Sequence, residues 1–219
     1  MRRILWVAMT GGDKSGKSAV CRNVVEEFGE AVVVPELATA LIKGGFPSVP
    51  DMLPWSEDWQ EELQQTIYPA QLGFETAYAR YAEHCGARIV LVDRGLLDGA
   101  AYRPEEKIED AIQCFCAERQ TSVVEIYARY DVVIHLQTTA ISQPDRFGKA
   151  GNGARFDCSN DLDAQTRHEA SLQRAIKLDN RLWDVWKEHP WAMFLPAGIG
   201  VLGKISSCMG AVSLLLAKK

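Results

Sequence analysis

The sequence predicts a three-layer α/β fold, in which helices cover both faces of a five-stranded, mostly parallel sheet. Three observations favour this class. Five short apolar runs lack polar alternation, and a run such as Val32-Val33-Val34 is typical of a strand buried on both faces. Helical patterns separate these runs. A glycine-rich segment joins the first run to the first helical pattern.

The apolar runs predict strands because each is short and is followed by a polar or turn-forming residue. The predicted strands cover residues 4–9, 31–34, 88–92, 132–136 and 192–195. Since helical patterns lie between them, we expect crossover connections and parallel pairing.

Apolar residues recur with helical spacing between and after the strands. The predicted helices cover residues 17–28, 37–42, 56–84, 105–127, 161–187 and 205–216. Ser56 and Asp161 are suitable N-caps, because their side-chain oxygens accept hydrogen bonds from a first helical turn. Residues 138–160 show no periodicity, and a long structureless insertion after the fourth strand is predicted to act as a lid.

Composition limits the class of protein. The 219 residues, of which 47% are hydrophobic, suit a single α/β domain over residues 1–219. A net charge of −5 lacks the basic surplus of a nucleic-acid-binding protein, so no nucleic-acid partner is expected. No apolar run approaches the roughly 18 residues of a membrane span, so no membrane partner is expected. The six cysteines fit neither a disulfide framework nor zinc-ligand spacing, which favours reduced thiols in a cytoplasmic protein.

The glycine-rich segment completes the pattern G-x-x-x-x-G-K-[ST]. Its backbone N–H groups are expected to surround phosphates, while Lys17 reaches the β- and γ-phosphates and Ser18 ligates Mg²⁺. The helix that follows adds its positive N-terminal end. The pattern therefore predicts ATP and Mg²⁺ as cofactors. The predicted nucleotide-binding residues are Gly11, Gly12, Asp13, Lys14, Ser15, Gly16, Lys17 and Ser18.

Asp93 ends the third predicted strand, after four apolar residues. A carboxylate at that position would hold Mg²⁺ together with Ser18, directly or through water. The next residue is Arg94, where many ATP-hydrolysing motors carry a second acid. An arginine there suits a site that holds an anion in line for transfer. The alternative is that Asp93 only caps the following turn.

Glu36 follows the second predicted strand, so it is expected at the carboxyl edge of the sheet, facing Asp93 and Lys17. Such a carboxylate can accept a hydroxyl proton, or it can stabilise the first turn of a helix. In the predicted lid, Arg146 and Arg155 would neutralise charge on the transferred phosphoryl group. The alternative for these two arginines is a solvated basic loop.

Several of these pieces together resemble the P-loop AAA-type ATPase and kinase domain that includes bacterial nicotinamide-riboside kinase. The motifs that carry the resemblance are residues 9–18, Val34-Pro35-Glu36, Gln71 with Glu75, residues 92–102, Arg167-His168-Glu169, Asp179, and Trp186 with His189-Pro190. The resemblance implies a P-loop NTPase fold with a kinase-like core that uses ATP and Mg²⁺. It leaves the acceptor open. We recognise no adenylyltransferase module in these residues, so the resemblance is not expected to extend to the two-domain riboside enzyme as a whole.

Two functions from different classes fit these observations. The first is a small-molecule kinase that transfers phosphoryl from MgATP to a hydroxyl-bearing, nucleoside-like acceptor. Its predicted catalytic residues are Lys17, Asp93, Glu36, Arg94, Arg146 and Arg155, and either Glu36 or Asp93 would accept the proton of the acceptor. The second is a regulatory or hydrolytic ATPase that acts through a protein partner. Arg94 argues against an ATP-hydrolysing motor. A third possibility, a nucleotide-binding module without turnover, would need a defect in the loop, and the loop pattern is complete.

Overall fold

The computed structural model describes residues 4–49, 52–54, 56–147 and 164–218. Its sheet contains five parallel strands in the order β2-β3-β1-β4-β5. The strands are β1 (Leu5–Thr10), β2 (Ala31–Val34), β3 (Ile89–Asp93), β4 (Val132–Leu136) and β5 (Ala192–Leu195). All five predicted strands are confirmed within one or two residues. The connection after β1 leads to β2 on one side of it, and the connection after β3 leads to β4 on the other side. Such a switch point leaves a crevice at the carboxyl ends of the strands.

Eight α-helices are described. They are α1 (Lys17–Phe28), α2 (Leu37–Lys43), α3 (Glu57–Cys85), α4 (Ile108–Glu118), α5 (Val123–Tyr127), α6 (Thr139–Ser142), α7 (Ala164–Asp184) and α8 (Gly200–Lys218). Ser56 caps α3, because its side chain accepts a hydrogen bond from the N–H of Trp59. This agrees with the predicted N-cap.

The single helix predicted over residues 105–127 is wrong. The chain forms α4 and α5 instead, separated by Gln120, whose φ of 50° lies in the left-handed region. Ser122 then starts α5 with a capping box, in which its side chain and that of Glu125 bind each other's backbone N–H groups. The pattern Ser-x-x-Glu was visible in the sequence, and it marks this second start.

Part of the predicted lid is ordered. Thr138 caps the short helix α6, and a 3₁₀ turn covers Pro144–Arg146. The expectation of a structureless segment is therefore wrong for residues 139–146. Residues 148–160 of the predicted lid lie outside the described residues.

The core has two halves, one on each face of the sheet. On one face α3, α4, α5 and α7 pack against Ala8, Val90 and Val92. On the other face α1 and α8 pack against Leu5, Val7, Met9 and their neighbours. This arrangement of layers is the predicted one, and it positions the start of α1 against the carboxyl end of β1.

Helix α8 is apolar for most of its length. By length and composition, the segment over residues 197–218 would suffice to cross a membrane, with a mean hydropathy of 1.7 and 17% of the scored window buried. In this fold Cys208 and Val212 on α8 join the core cluster on α1, and Lys204 is buried as well. One apolar face of α8 is therefore buried against the rest of the fold. This is the arrangement expected of the docked helix that the sequence predicts over residues 205–216.

Candidate active site

The phosphate loop connects β1 to α1 and adopts a conformation that needs its glycines. Gly11 and Gly16 have φ values of 128° and 96°. A Cβ atom on Gly11 would overlap the carbonyl oxygen of Leu136 on β4. A side chain at this position would therefore separate the loop from β4. The N-terminus of α1 consequently points into the loop, where it favours an anion.

Side chains outside the loop hold its backbone. Thr138 donates from Oγ1 to the carbonyl of Asp13 at 2.6 Å, and Thr139 donates to the carbonyl of Lys14 at 3.2 Å. From α8, the buried Lys204 donates from Nζ to the carbonyl of Ser15 at 2.9 Å. The loop is therefore held by the start of α6 and by α8.

Asp179 on α7 links the loop to β4. Its Oδ1 accepts hydrogen bonds from the N–H of Gly12 at 2.6 Å and from the N–H of Thr138 at 3.1 Å. Its Oδ2 lies 3.4 Å from Nε2 of His135, and both side chains are buried. Asp179 therefore acts on the loop through the backbone and is a positioning residue.

Lys17 folds back onto its own loop. Its Nζ donates to the carbonyls of Gly11 and Gly12, at 2.8 and 3.2 Å, and to Oγ of Ser15 at 3.3 Å. Burial lowers the pKa of Lys17, and the neighbouring Arg94 lowers it further. The ammonium therefore lies at the centre of the loop, where a phosphate oxygen can replace these acceptors.

Asp93 and Ser18 line one cavity of about 270 Å³, together with Lys17 and residues 13–16 of the loop. Oδ1 of Asp93 is buried and has no hydrogen-bond partner among the described residues. Burial raises the pKa of this carboxyl group. An unpaired carboxylate oxygen beside a serine hydroxyl is the donor set that Mg²⁺ takes alongside phosphates and water, so these residues fit the ion.

No group of three or more His, Cys, Asp or Glu side chains that could hold a metal occurs within the described ranges. A magnesium ion at Ser18 and Asp93 would therefore take its remaining ligands from nucleotide phosphates and water.

Arg94 is the centre of the charged cluster behind the loop. Its Nε donates to Oε1 of Glu36 at 2.6 Å, and its Nη1 donates to the carbonyl of Gly11 at 3.3 Å. Asp13 and Asp98 lie 3.5 and 3.7 Å from the guanidinium. The side chain is only 12% exposed, so these ion pairs are shielded from water.

The backbone of Arg94 is strained and held in place. Its φ of 79° lies in the left-handed region, which costs a residue with a side chain roughly 1–2 kcal/mol. Its N–H donates to the carbonyl of Met9 at 2.9 Å, and Gln71 donates from Nε2 to its carbonyl at 2.6 Å. In this backbone conformation the guanidinium reaches the phosphate loop, where it donates to the carbonyl of Gly11.

Glu36 is the partner that Arg94 orients. One carboxylate oxygen accepts from Arg94, and the other accepts from Oγ1 of Thr39. Burial alone would raise the pKa of Glu36, but Arg94 and Thr39 outweigh it and lower the pKa to about 2. Glu36 is also the N-cap residue of α2, although its side chain does not cap the helix. The carboxylate is therefore ionised and is held between Arg94 and the first turn of α2.

Two further polar groups support this cluster, one on α3 and one on the 3₁₀ helix Leu96–Tyr102. Glu75 is fully buried, and it accepts from Gln71, from Tyr130 Oη at 2.8 Å and from Arg129. Asp98 accepts from Nε1 of Trp186 at 2.6 Å and from Oγ1 of Thr10 at 3.1 Å. These contacts connect Arg94 to the core.

Two further cavities adjoin the loop. A pocket of about 60 Å³ lies between α2, α3 and the 3₁₀ helix Leu96–Tyr102. A cleft of about 1100 Å³ extends from the loop to α7 and to residues 101–106. Asp13 and Glu36 line both cavities and also the loop cavity. These two carboxylates therefore stand where the three spaces meet.

Arg181 on α7 shapes the wall of the cleft. Its guanidinium donates to the carbonyls of Ala101, Arg103 and Glu105, at 2.8, 3.0 and 3.0 Å. Arg146 ends the 3₁₀ turn after α6, and its side chain lies outside what the structure describes, as does the whole of Arg155. The roles predicted for these two arginines remain predictions.

The structure brings together the predicted loop residues 11–18 with Glu36, Asp93 and Arg94. Sequence reasoning missed three of the groups that hold them, namely Thr138, Thr139 and Lys204. Gln71, Glu75, Asp98 and Asp179 entered the sequence interpretation through the family resemblance alone. One signal was present: Gln71 and Glu75 are spaced i, i+4, which puts a polar pair on one face of α3.

A family model described as an AAA domain matches residues 6–195. Because this match covers most of the chain, the chain belongs to the AAA domain family. No curated protein sequence matches the chain.

Two solved structures are similar in fold. Deoxyadenosine kinase from M. mycoides, with dCMP and a flexible dCDP bound, aligns over 95% of this chain and 99% of its own, at 15% identity and a TM-score of 0.52. NadR in complex with NAD and AMP-PNP aligns over 99% of this chain, at 14% identity and a TM-score of 0.53. The chain spans 50% of that NadR chain. Both likenesses show the P-loop kinase-type fold that the sequence predicted.

Proposed function

We propose that this member of the AAA domain family transfers the γ-phosphoryl group of MgATP to a hydroxyl group of a small, nucleoside-like acceptor. One observation carries the proposal. Glu36, which forms an ion pair with Arg94, lines the phosphate-loop cavity and both of the cavities beside it. A hydroxyl group in that position would face both an ionised carboxylate and the end of the phosphate chain.

The donor side relies on the loop. The loop N–H groups and Lys17 bind the β- and γ-phosphates, and Ser18 and Asp93 would hold the magnesium ion. When bound, that ion supplies positive charge to the phosphate oxygens. Arg94 adds a second positive charge behind the loop, and Gly11 holds its guanidinium there. Most of the catalytic effect is therefore positioning and charge stabilisation, as expected for phosphoryl transfer.

On the acceptor side, Glu36 accepts the hydrogen bond of the attacking hydroxyl group and then its proton. A pKa of about 2 makes Glu36 a weak base, but it also keeps the carboxylate ionised at neutral pH. In a loose transition state the proton is transferred late, so orientation of the hydroxyl matters more than basicity. Arg94 fixes that orientation, because it holds one oxygen of Glu36 at 2.6 Å.

The nucleoside-like character of the acceptor is supported by the pocket beside α3. Tyr68 and Phe115 stand edge to face in its wall, with ring centroids 5.6 Å apart. Nε2 of Gln60 is buried there without a hydrogen-bond partner among the described residues. Aromatic rings and an unpaired amide suit a planar group with polar edges. The similar deoxyadenosine kinase structure has dCMP bound.

The proposal is tested by incubating the protein with γ-labelled ATP, Mg²⁺ and pools of nucleosides, sugars and vitamins. Transfer of label to an acceptor is expected, and fractionation of the active pool then identifies it. Release of labelled phosphate at one rate with every pool would contradict the kinase and favour the hydrolytic ATPase.

Replacing Glu36 with glutamine is expected to slow transfer about 100-fold or more, because the hydroxyl proton loses its acceptor. ATP binding should change by less than about threefold, since the loop and Lys17 remain. Steady-state kinetics give kcat and KM, and calorimetry gives the ATP affinity. The control is Glu30→Gln. Glu30 directly precedes β2, the strand that leads to Glu36, and its carboxylate forms a surface ion pair with Arg88 at 3.5 Å. Undiminished turnover in Glu36→Gln would limit Glu36 to holding Arg94.

A further inference from the structure

Lys14 carries an amino group that has no acceptor among the residues the structure describes. Its Nζ is buried and makes no hydrogen bond within the described part of the chain. It lies over the ring of Phe147, whose centroid is 5.2 Å away. Buried ammonium groups normally bind carboxylates or carbonyls, so an unpaired one points to a ligand.

The position of Lys14 indicates the kind of ligand. Its side chain lines the phosphate-loop cavity together with Lys17 and Ser18, and it also lines the 1100 Å³ cleft. Phosphate oxygens that extend beyond Lys17 would enter the space between these two cavities. A lysine contributes three donors on a flexible stem, which suits an oxygen whose position changes during transfer.

The backbone supports a role for the side chain. Lys14 has a φ of 55°, in the left-handed region where glycine is unstrained and lysine is not. Thr139 holds its carbonyl at 3.2 Å, and Thr138 holds the carbonyl of Asp13. The loop pattern accepts any residue at position 14. Glycine would adopt this φ without strain. A lysine at this position is therefore explained if its ammonium group has a function.

We propose that Lys14 is a second phosphate-binding lysine of the loop, specific for the terminal phosphate of ATP. Without nucleotide its ammonium rests against Phe147. With ATP bound it donates hydrogen bonds to the γ-phosphate and neutralises charge on the group being transferred. This inference rests on the proposed use of ATP as donor. Lys14 would then supply positive charge to the transferred phosphoryl group, a role that the sequence analysis expected of arginines in the predicted lid.

The test compares Lys14→Gly with the wild-type protein in binding ADP and a non-hydrolysable ATP analogue, each with Mg²⁺. Calorimetry is expected to show that the variant binds the ATP analogue about tenfold more weakly, because one charge-assisted hydrogen bond is lost. ADP affinity should change less than about twofold. Since glycine relieves the strain at φ 55°, the melting temperature should stay at or above the wild-type value.

Two variants are matched to this test. Lys14→Arg keeps the charge and should retain the preference for the ATP analogue over ADP. Lys43→Ala removes a lysine from the wall of the same cleft and should leave both affinities unchanged. Equal weakening of ADP and analogue in Lys14→Gly, or no weakening of either, would overturn the proposal. Wild-type protein that binds the analogue but labels no acceptor would refute the kinase function and leave this inference standing.

Discussion

Replacing Lys17 with alanine is expected to slow phosphoryl transfer roughly 100- to 1000-fold, the usual cost of removing one preorganised donor from a reacting charge. The ammonium of Lys17 already lies within the loop, bound to the carbonyls of Gly11 and Gly12 at 2.8 and 3.2 Å. Phosphate oxygens replace those acceptors with stronger, charged ones. The binding energy lost in the variant is therefore specific to nucleotide.

Thermal unfolding with and without MgATP measures the same loss. At an ATP concentration about 100 times Kd, binding stabilises the wild type by about 2.7 kcal/mol, or roughly 5–10 °C for a chain of this size. With affinity reduced about 100-fold, the shift should fall to roughly 1–2 °C. Lys187→Ala is the control, because Lys187 pairs only with the surface residue Asp184. A full ATP-dependent shift in Lys17→Ala would remove the phosphate loop from the mechanism.

The sheet could be predicted from the sequence because its signals are local. Uninterrupted apolar runs mark strands that are buried on both faces, and all five strands form where such runs occur. The loop pattern likewise predicted the connection between β1 and α1. Gly11 and Gly16 have positive φ values there, which other residues avoid. Helix ends were harder. The break before α5 depends on Gln120 in the left-handed region, a position that propensity does not favour for glutamine.

The support of the site could not be predicted residue by residue, because it depends on contacts distant in sequence. Asp179 binds the N–H of Gly12 across 167 positions, and Lys204 binds the carbonyl of Ser15 across 189. Each of these two residues lies on a helix, and a charged residue on a helix is by default expected to face solvent. Only the packing of α7 and α8 brings them to the loop. The sequence thus predicts the groups that face a ligand better than the groups that hold them.

Replacing Arg94 with methionine is expected to destabilise the protein by about 3–5 kcal/mol, because a cation that is shielded from water is removed and its acids remain. Glu36 loses its 2.6 Å ion pair, and Asp98 loses a cation 3.7 Å away. The melting temperature should fall by roughly 10 °C. Transfer should slow at least as much as in Glu36→Gln, because the carboxylate is no longer oriented toward the hydroxyl group.

The pH dependence of stability separates this ion pair from ordinary packing. In the folded protein the pKa of Glu36 falls to about 2 from an ordinary value of 4.5, since Arg94 and Thr39 outweigh burial. Glu36 therefore contributes stability that is fully present above pH 4.5 and is lost as the pH falls toward 2. Without Arg94, burial raises the pKa again. Urea unfolding between those pH values should then show a shallower loss of stability in the variant.

Arg88→Met provides the matched control for Arg94→Met. Arg88 directly precedes β3, the strand that Arg94 directly follows, and it pairs with Glu30 at the surface, at 3.5 Å. An exposed pair of this kind contributes about 1 kcal/mol or less, so the control should unfold nearly as the wild type does. Arg94→Lys should recover part of the stability but little activity, since an ammonium cannot contact Glu36 and Gly11 as the guanidinium fork does. If Arg94→Met were as stable as Arg88→Met, with unchanged acid sensitivity, Glu36 would not depend on Arg94 for its charge. Orientation of the acceptor hydroxyl would then have to come from another group.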